Sequence, residues 1–358
     1  MGSQPWAIGK TPSGYLGRPV NGLVCCGVWS LGASFGLPLK DQGVYSAGMK
    51  SIFSLLVWAF LFGQFSNGWA GEEFLAGAKR VLFLGDSITY SGEYVEFVEG
   101  YFATRFPERE VVFMNVGLPS ETVSGLSEEG HAGGAFPRPD LHERLGRVLA
   151  QTKPDMVFAC YGMNDGIYLP FSAERFAAFT NGIVWLRDSV LRSRAKVVLV
   201  TPPVFDEKRG QGPGYGAVLD RYSDWLIGQR KAGWEVVDVH GPMGRFLKER
   251  RKVDPGFYLA GDGVHAGELG HWIMAKALLE FMGAKDLDGV ESGAEMMKGY
   301  RNGANVLKLV QEKQRLMKDA WLTATGHKRP GMNKGLPLAE AEKRAEVLEE
   351  RVRRLTKN

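Results

Sequence analysis

The chain has 358 residues, of which 44% are hydrophobic and 23% charged, the balance of a soluble globular protein with one large or two smaller domains. Its 3 cysteines are too few for a disulfide scaffold, and its 47 glycines follow no period, which excludes a collagen-like chain. Residues 1–70 hold four basic residues and one acidic residue, so residues 71–358 carry a net charge of only +1. Bulk charge therefore gives no support to a nucleic-acid partner.

The segment 49–70 has the pattern of a secretory signal peptide. It begins with a methionine and a lysine, continues with an apolar run over 52–62, and ends on the small residues Gly68 and Ala70. The apolar run is about half of the ~20 residues that a membrane-spanning helix needs. We therefore predict cleavage after Ala70, no integral membrane span in the mature chain, and a secreted or periplasmic location. An uncleaved anchor and a buried core helix are the alternatives.

Residues 1–48 precede this segment, although a signal peptide should begin a chain. They are rich in Gly, Ser and Pro and show no sustained helical or strand period. We predict that translation starts at Met49 and that residues 1–48 are an upstream misreading or a disordered segment.

Between residues 80 and 280, short apolar runs alternate with amphipathic segments. The runs lack strict polar alternation, which is typical of strands buried on both faces of a parallel sheet. They lie at 81–84, 111–115, 156–161, 197–201 and 236–239. Candidate helices lie near 91–105, 140–151, 172–192, 215–231 and 267–281. These repeats predict a three-layer α/β/α sandwich with about five parallel strands, whose active site lies at the carboxyl ends of the strands.

Residues 303–358 form a basic C-terminal extension with a net charge of +6, against −5 for residues 71–302. Helices are predicted near 304–320 and 338–355, on either side of a Gly/Pro-rich link at 326–337. The second helix carries a single apolar stripe at three-to-four spacing. We expect the extension to pack on the acidic main domain or on a second copy of the chain. Attachment to an acidic polymer or a partner is the alternative.

Four predicted strand ends carry the residue types that acyl transfer uses. Ser87 follows the first run at a strand-to-helix turn, which can present a hydroxyl at the sheet edge. Gly117 follows the second run and Asn164 the third, and a glycine amide and an asparagine side chain are donors of an oxyanion hole. Asp262 and His265 follow the fifth run, at a spacing that lets the carboxylate hold the imidazole. Each residue alone is an ordinary turn or cap residue, but the set is complete.

The set resembles the SGNH or GDSL-type hydrolase superfamily, which is named for Ser, Gly, Asn and His in four sequence blocks. The matching motifs appear in the family's order, as GDSIT at 85–89, NVG at 115–117, GMND at 162–165 and DGVH at 262–265. The resemblance covers about residues 80–280 and implies a flavodoxin-like fold, in agreement with the strand pattern. The first 70 residues and the basic extension lie outside it.

By this resemblance, Ser87 is the nucleophile, His265 the general base and Asp262 the residue that orients the base. The oxyanion hole is formed by the amides of Ser87 and Gly117 and by the side chain of Asn164. The predicted mechanism is attack of the serine hydroxyl on an ester carbonyl, loss of the alcohol, and hydrolysis of the acyl-enzyme through the same base.

The chain departs from the family pattern at one place. Many members have a second glycine soon after the glycine of the second motif, where this chain reads Leu-Pro-Ser at 118–120. We expect a stiffer loop there, which affects the choice of substrate more than the mechanism. The candidates for substrate contact, in the motifs and on the rim loops, are Asp86, Arg138, Tyr161, Asp165 and Tyr168.

We predict an exported serine esterase that acts on short acyl groups, such as acetyl, on carbohydrate. A lysophospholipase, a thioesterase or an O-acyltransferase of the same fold is an alternative, as is a non-catalytic glycan-binding protein. A flavodoxin-type cofactor binder fits the fold, but the first turn is not a phosphate-binding glycine loop. No step requires a metal or an organic cofactor, and the 6 histidines form no tight ligand motif. The sequence leaves the oligomeric state open.

Overall fold

Five apolar segments pair into one parallel sheet in the computed structural model, which describes residue 75 and residues 77–357. The strands are β1 (Arg80–Gly85), β2 (Val112–Asn115), β3 (Met156–Cys160), β4 (Lys196–Val200) and β5 (Glu235–Val237). Their order, β2-β1-β3-β4-β5, is that of a flavodoxin-like doubly wound sheet. The predicted signal peptide and the sequence upstream of it, residues 1–70, lie outside the described residues.

Helices cover both faces of the sheet, which confirms the predicted α/β/α architecture. In chain order they are α1 (Ser87–Ser91), α2 (Glu93–Arg105), α3 (Leu145–Thr152), α4 (Ala173–Arg192), α5 (Tyr215–Gly228), α6 (His240–Val253), α7 (Glu268–Phe281), α8 (Gly293–Lys298), α9 (Gly303–Thr325) and α10 (Leu338–Thr356). Short 3-10 turns lie at His131–Gly134, Leu141–Glu143 and Gln229–Ala232. Among residues 77–357, no helix is long and apolar enough to cross a membrane.

The core includes the interior strand β1, which lies between β2 and β3 and is buried beyond its first residue. Phe83 of β1 stacks on Phe158 of β3 with ring centroids 5.3 Å apart. A continuous apolar run can be buried on both faces only where helices cover both sides of a parallel sheet. The strand segments therefore lack polar alternation in the sequence because helices cover the sheet on both faces.

The strand register brings three strand ends to one edge of the sheet. Gly85 of β1 pairs with Cys160 of β3, and Phe83 pairs with Asn115 of β2. The chain leaves β1 toward β2 on one side and later returns to β3 on the other side. In a doubly wound sheet, this switch point opens a crevice at the carboxyl ends of the strands.

The short helix α8 and one longer helix are absent from the sequence prediction, which places only a loop between β5 and the Asp262 motif. The structure has the 14-residue helix α6 there. Its buried residues are Met243 and Leu247, spaced one turn apart, and the rest of its surface is largely charged. Gly241 and Pro242 lie in the first turn of α6, and because both residue types disfavour the interior of a helix, the sequence does not predict one here. Proline is nevertheless well tolerated in the first turn of a helix.

The basic C-terminal extension packs on the main domain. Helix α9 lies against α2 and β2, and α10 lies against α9. Gln314 of α9 donates to Glu99 Oε2 at 2.6 Å and to the Phe113 carbonyl oxygen at 3.0 Å. Lys313 forms ion pairs with both Glu99 and Glu349. A lysine of the extension thus neutralises a buried carboxylate of the main domain.

Candidate active site

Ser87 lies at the turn from β1 into α1, at the carboxyl edge of the sheet. Asp86 caps α1, because its Oδ1 accepts the Ile88 N–H at 2.9 Å. Gly85 has no room for a side chain, since a Cβ there would lie 2.7 Å from the carbonyl oxygen of Cys160. The Gly-Asp-Ser sequence therefore fixes a tight turn that leaves Ser87 partly exposed.

A hydrogen-bonded chain links Ser87, His265 and Asp262. Ser87 Oγ lies 2.8 Å from His265 Nε2, and His265 Nδ1 lies 2.6 Å from Asp262 Oδ2. Because an ionised carboxylate can only accept, Nδ1 carries the ring proton and Nε2 is left to accept from the serine hydroxyl. This is the geometry in which an imidazole can take a proton from a nucleophile.

The loop that carries Asp262 and His265 is held by its own backbone. Asp262 Oδ1 accepts the N–H groups of Val264 at 2.9 Å and His265 at 2.8 Å. Gly263 has a φ of +84°, and a Cβ there would lie 2.3 Å from the backbone nitrogen of Gly210. The glycine is therefore required both by its conformation and by close packing against the loop after β4.

The carboxylate and the imidazole shift each other's pKa. Partial burial raises the pKa of Asp262, but hydrogen bonds from the His265 ring and the loop amides outweigh it and hold the pKa well below its usual range. Burial lowers the pKa of His265, but Asp262, with a smaller contribution from Asp86, raises it above the ordinary value of 6.5. Both side chains are about half exposed, at 56% for Asp262 and 46% for His265, so solvent moderates these effects.

Asp86, a candidate for substrate contact, is instead buried beside Ser87, with 3% of its surface exposed. Burial raises its pKa from 3.8 to about 7, while the capping N–H of Ile88 and the charge on His265 act in the opposite direction. The side chain therefore serves the α1 turn and titrates near neutrality.

The side-chain amide of Asn164 is buried and has partners at both ends. Its Oδ1 accepts from Arg138 Nη1 at 3.0 Å and from the Tyr168 hydroxyl at 3.1 Å. Its Nδ2 donates to the carbonyl oxygen of Glu121 at 3.1 Å. Arg138 and Tyr168, two further candidates for substrate contact, thus contact a candidate oxyanion donor.

Gly117 requires a correction, because its N–H already has a buried acceptor. It donates to Asn115 Oδ1 at 2.9 Å and is not free to meet an oxyanion. A glycine is needed here for another reason, since a Cβ would lie 2.3 Å from the backbone nitrogen of Tyr90. Gly117 therefore lets β2 and its following loop approach the α1 turn.

Ser120 is a candidate donor that the sequence motifs missed. Its φ is +68°, in the left-handed region that favours glycine, and no acceptor for its N–H lies among the described residues. On one side, Leu118 donates to the Gly85 carbonyl oxygen at 2.8 Å; on the other, the Glu121 carbonyl oxygen holds Asn164. The sequence does contain a clue to this position, because many family members have their second glycine within the segment that reads Leu-Pro-Ser at 118–120.

Tyr161 and Asp165, also candidates for substrate contact, are corrected to interior positions. The Tyr161 hydroxyl donates to Glu121 Oε2 at 2.6 Å, and Asp165 Oδ1 accepts backbone N–H groups of the loop after β2. Glu121 is also paired with Arg144 at 2.6 Å, and neither side chain of that pair is exposed. These contacts join segments distant in sequence, so no local motif predicts them.

No cluster of three or more His, Cys, Asp or Glu side chains suited to a metal ion lies within the described part of the chain. The polar groups at the carboxyl edge of the sheet are a hydroxyl, an imidazole, a carboxylate and several N–H donors, a set that can carry out acyl transfer.

Comparisons with known proteins agree with this chemistry. The profile of the GDSL-like Lipase/Acylhydrolase family matches residues 83–273. An acetylxylan esterase from Geobacillus stearothermophilus is 26% identical over 235 residues, which cover 58% of this chain and 96% of that protein.

Two solved structures are similar to this chain, and the first of them shows the same fold. A gut microbial diltiazem-metabolizing enzyme is similar with a TM-score of 0.61 and 15% identity, over 78% of this chain and 95% of that one. A catalytic mutant of an acetylxylan esterase from Geobacillus stearothermophilus has a TM-score of 0.45 and 23% identity, over 58% of this chain and 95% of that one.

Proposed function

Because the chain belongs to the GDSL-like lipase/acylhydrolase family, and is therefore an ester-bond hydrolase, we propose that it is an exported serine esterase with Ser87 as its nucleophile. The observation that carries the proposal is the hydrogen-bonded chain from Ser87 Oγ to His265 at 2.8 Å and from His265 to Asp262 at 2.6 Å. A hydroxyl with an imidazole in reach, itself oriented by a carboxylate, is an activated nucleophile.

The reaction proceeds in two halves. His265 Nε2 takes the proton as Ser87 Oγ bonds to the ester carbonyl carbon, and the same proton then passes to the departing alcohol. Water next attacks the acyl-enzyme while His265 again acts as base, and the C–O bond to Ser87 breaks to release the acid. Asp262 stays ionised throughout and stabilises the imidazolium that forms.

The tetrahedral oxyanion meets N–H donors from three strand ends. We assign these to the Ser87 amide, the second hydrogen of Asn164 Nδ2 and the Ser120 amide, which takes the place predicted for Gly117. The Ser87 and Ser120 N–H groups have no acceptor among the described residues, so each is available to a negatively charged oxygen.

For the substrate, we propose short acyl groups, acetyl above all, on carbohydrate. The support is the 26% identity to an acetylxylan esterase, aligned over nearly the whole length of that protein. Release of acetate from acetylated xylo-oligosaccharides, at a higher kcat/KM than hydrolysis of long-chain acyl esters, is the expected result.

For the location, we propose export with cleavage after Ala70. The support is the composition of residues 49–70, a charged start, a short apolar run and small residues before the cleavage site. Cell fractionation and N-terminal sequencing of the purified protein test this, and the mature chain should begin at Gly71.

The central test compares the wild type with Ser87→Ala on p-nitrophenyl acetate, butyrate and octanoate. We expect the variant to lose about 10⁴-fold or more of kcat, because removal of a triad nucleophile leaves only binding and oxyanion stabilisation. Wild-type activity that falls with acyl length supports acetyl esters, and activity that rises toward octanoate moves the substrate to lipids. Equal activity of the two proteins would reject Ser87 as the nucleophile.

A further inference from the structure

Arg138 is the best-anchored charged side chain next to Asn164. Its Nε and Nη2 donate to the two carboxylate oxygens of Glu128 at 2.6 and 2.7 Å, and its Nη1 reaches Asn164 Oδ1 at 3.0 Å. Glu128 Oε1 also contacts His131 Nδ1 at 3.0 Å. Only 8% of the Arg138 surface is exposed, so the guanidinium is a fixed group of the site wall.

This contact decides which way the Asn164 amide points. A guanidinium has five N–H donors and no acceptor, so it can face the amide oxygen but not the amide nitrogen. With Oδ1 held toward Arg138, Nδ2 must point the opposite way, where one hydrogen donates to the Glu121 carbonyl oxygen at 3.1 Å. The second hydrogen has no acceptor in the described part of the chain.

Tyr168 contacts the same oxygen, but it fixes the orientation of the Asn164 amide less strictly than Arg138 does. Its hydroxyl donates to Asn164 Oδ1 at 3.1 Å, and the Arg138 guanidinium lies over its ring, 5.4 Å from the centroid. A hydroxyl can also accept, so it would tolerate a flipped amide that Arg138 would not. Tyr168 has a φ of +55°, a left-handed conformation that places its ring beside Asn164.

The positive charge has a second consequence for the amide. A charge-assisted hydrogen bond to Oδ1 draws electron density toward the oxygen, which makes the N–H groups of the same amide stronger donors. An N–H that is both aimed and polarised before the reaction stabilises an oxyanion without reorganisation.

We propose that Arg138 and Tyr168 are positioning residues that hold the Asn164 amide with Nδ2 toward the oxyanion, rather than substrate-binding residues. This inference depends on the proposed esterase function, in which Asn164 is an oxyanion donor. It changes the role that the sequence predicts for both residues, and it gives the loop at 124–138 a function in catalysis through the Glu128–Arg138 pair.

The test is a double-mutant cycle on p-nitrophenyl acetate with the full chain. Arg138→Lys keeps a charge for Glu128 but loses the fork that reaches two partners at once. We expect kcat to fall by about 10-fold with KM unchanged, a part of the ~10²–10³-fold loss expected for Asn164→Ala. In the Asn164→Ala background, Arg138→Lys should have no further effect, because the group through which it acts is absent.

Tyr168→Phe supplies an independent measurement if Arg138→Lys fails to fold. We expect a smaller fall in kcat than for Arg138→Lys, which again disappears in the Asn164→Ala background. The matched controls are Arg105→Lys and Tyr101→Phe, which weaken a similar arginine–tyrosine pair on Asp286, away from the catalytic groups. Both controls should keep the wild-type kcat.

The outcomes separate this inference from the proposed function. An equal fold-loss for Arg138→Lys in the wild-type and Asn164→Ala backgrounds would overturn the inference, because it means that Arg138 acts independently of Asn164. A rise in KM alone would also overturn it, because it means that Arg138 contributes to substrate binding. Full activity of both Arg138→Lys and Tyr168→Phe would also overturn the inference. In each of these results an inactive Ser87→Ala would leave the esterase function standing, whereas an active Ser87→Ala would reject that function itself.

Discussion

The two halves of the candidate site are built in opposite ways. Asp262 and His265 lie on one short loop, are about half exposed, and are held mainly by hydrogen bonds within three residues of each other. Asn164 is 4% exposed and depends on partners that lie 26 and 43 residues away in the sequence, Arg138 and Glu121. We infer that the loop half can be altered without harm to folding, whereas the buried half combines catalysis with stability.

The largest effect on activity should come from the exposed half. Asp262→Asn keeps the side-chain shape but removes the charge and favours the wrong imidazole tautomer, so we expect kcat to fall by about 10⁴-fold. The thermal midpoint should stay near that of the wild type, because the carboxylate is more than half exposed.

The matched control is Asp220→Asn, which alters another exposed carboxylate paired with a histidine, with 2.8 Å between Asp220 Oδ1 and His240 Nε2. It should retain full activity. A large drop in the thermal midpoint for Asp262→Asn alone would show that the loop half is also structural, contrary to the distinction drawn above.

The largest effect on stability should come from the buried half. Arg144→Met leaves Glu121 buried with the Tyr161 hydroxyl but without its ion-pair partner, and we expect a loss of about 3–5 kcal/mol in the free energy of unfolding. Denaturant unfolding monitored by circular dichroism measures the loss. Arg344→Met, which breaks an exposed pair with Glu340, should cost at most about 1 kcal/mol. Equal losses for the two variants would refute the inference that the buried Glu121–Arg144 pair stabilises the fold more than an exposed pair.

The same distinction explains what could be predicted from the sequence. The strands were found because each is a continuous apolar run, and Asp262 with His265 because their contact is local in the chain. The ion pairs of Glu121 with Arg144 and of Glu128 with Arg138 were not found, because only the folded chain brings 121 near 144 and fixes the loop at 124–138. The motif predicts Gly117 as an oxyanion donor but cannot predict that its N–H donates to Asn115 Oδ1, because a motif gives the residue type and not the acceptor of its N–H.

A smaller loss of stability is expected at Gly117, which packs against the α1 turn that carries Ser87. In Gly117→Ala, the new Cβ would lie 2.3 Å from Tyr90 N, so α1 must shift, at a cost of about 1–3 kcal/mol typical of overpacking. The shift moves Ser87, and kcat should fall as well. Gly146→Ala is the control, since nothing lies within 4 Å of its Cβ, and it should be neutral or slightly stabilising. Unchanged activity in Gly117→Ala would mean that the turn adapts without displacing the nucleophile.

The smallest effect concerns Asp86, a buried carboxylate that acts on the exposed half. His265 must be neutral to accept a proton, so kcat/KM should rise with pH through the pKa of His265 in the free enzyme. Asp262 raises this pKa above 6.5, and Asp86 adds a smaller contribution of the same sign. Asp86→Asn keeps an oxygen to cap Ile88 but removes the negative charge that the carboxylate gains as the pH approaches 7, so the upper part of the acidic limb should move to lower pH.

The stability of the same variant supplies the check. The pKa of Asp86 is raised from 3.8 to about 7 by burial, so the folded state holds the proton more tightly than the unfolded state. Stability from this group is complete below pH 3.8 and is lost as the pH rises toward 7. Asp86→Asn lacks this loss, so its stability relative to wild type should increase over that interval. If neither the acidic limb nor the stability difference changes, Asp86 is ionised and solvated in the native protein, and the buried carboxylate has no influence on the base.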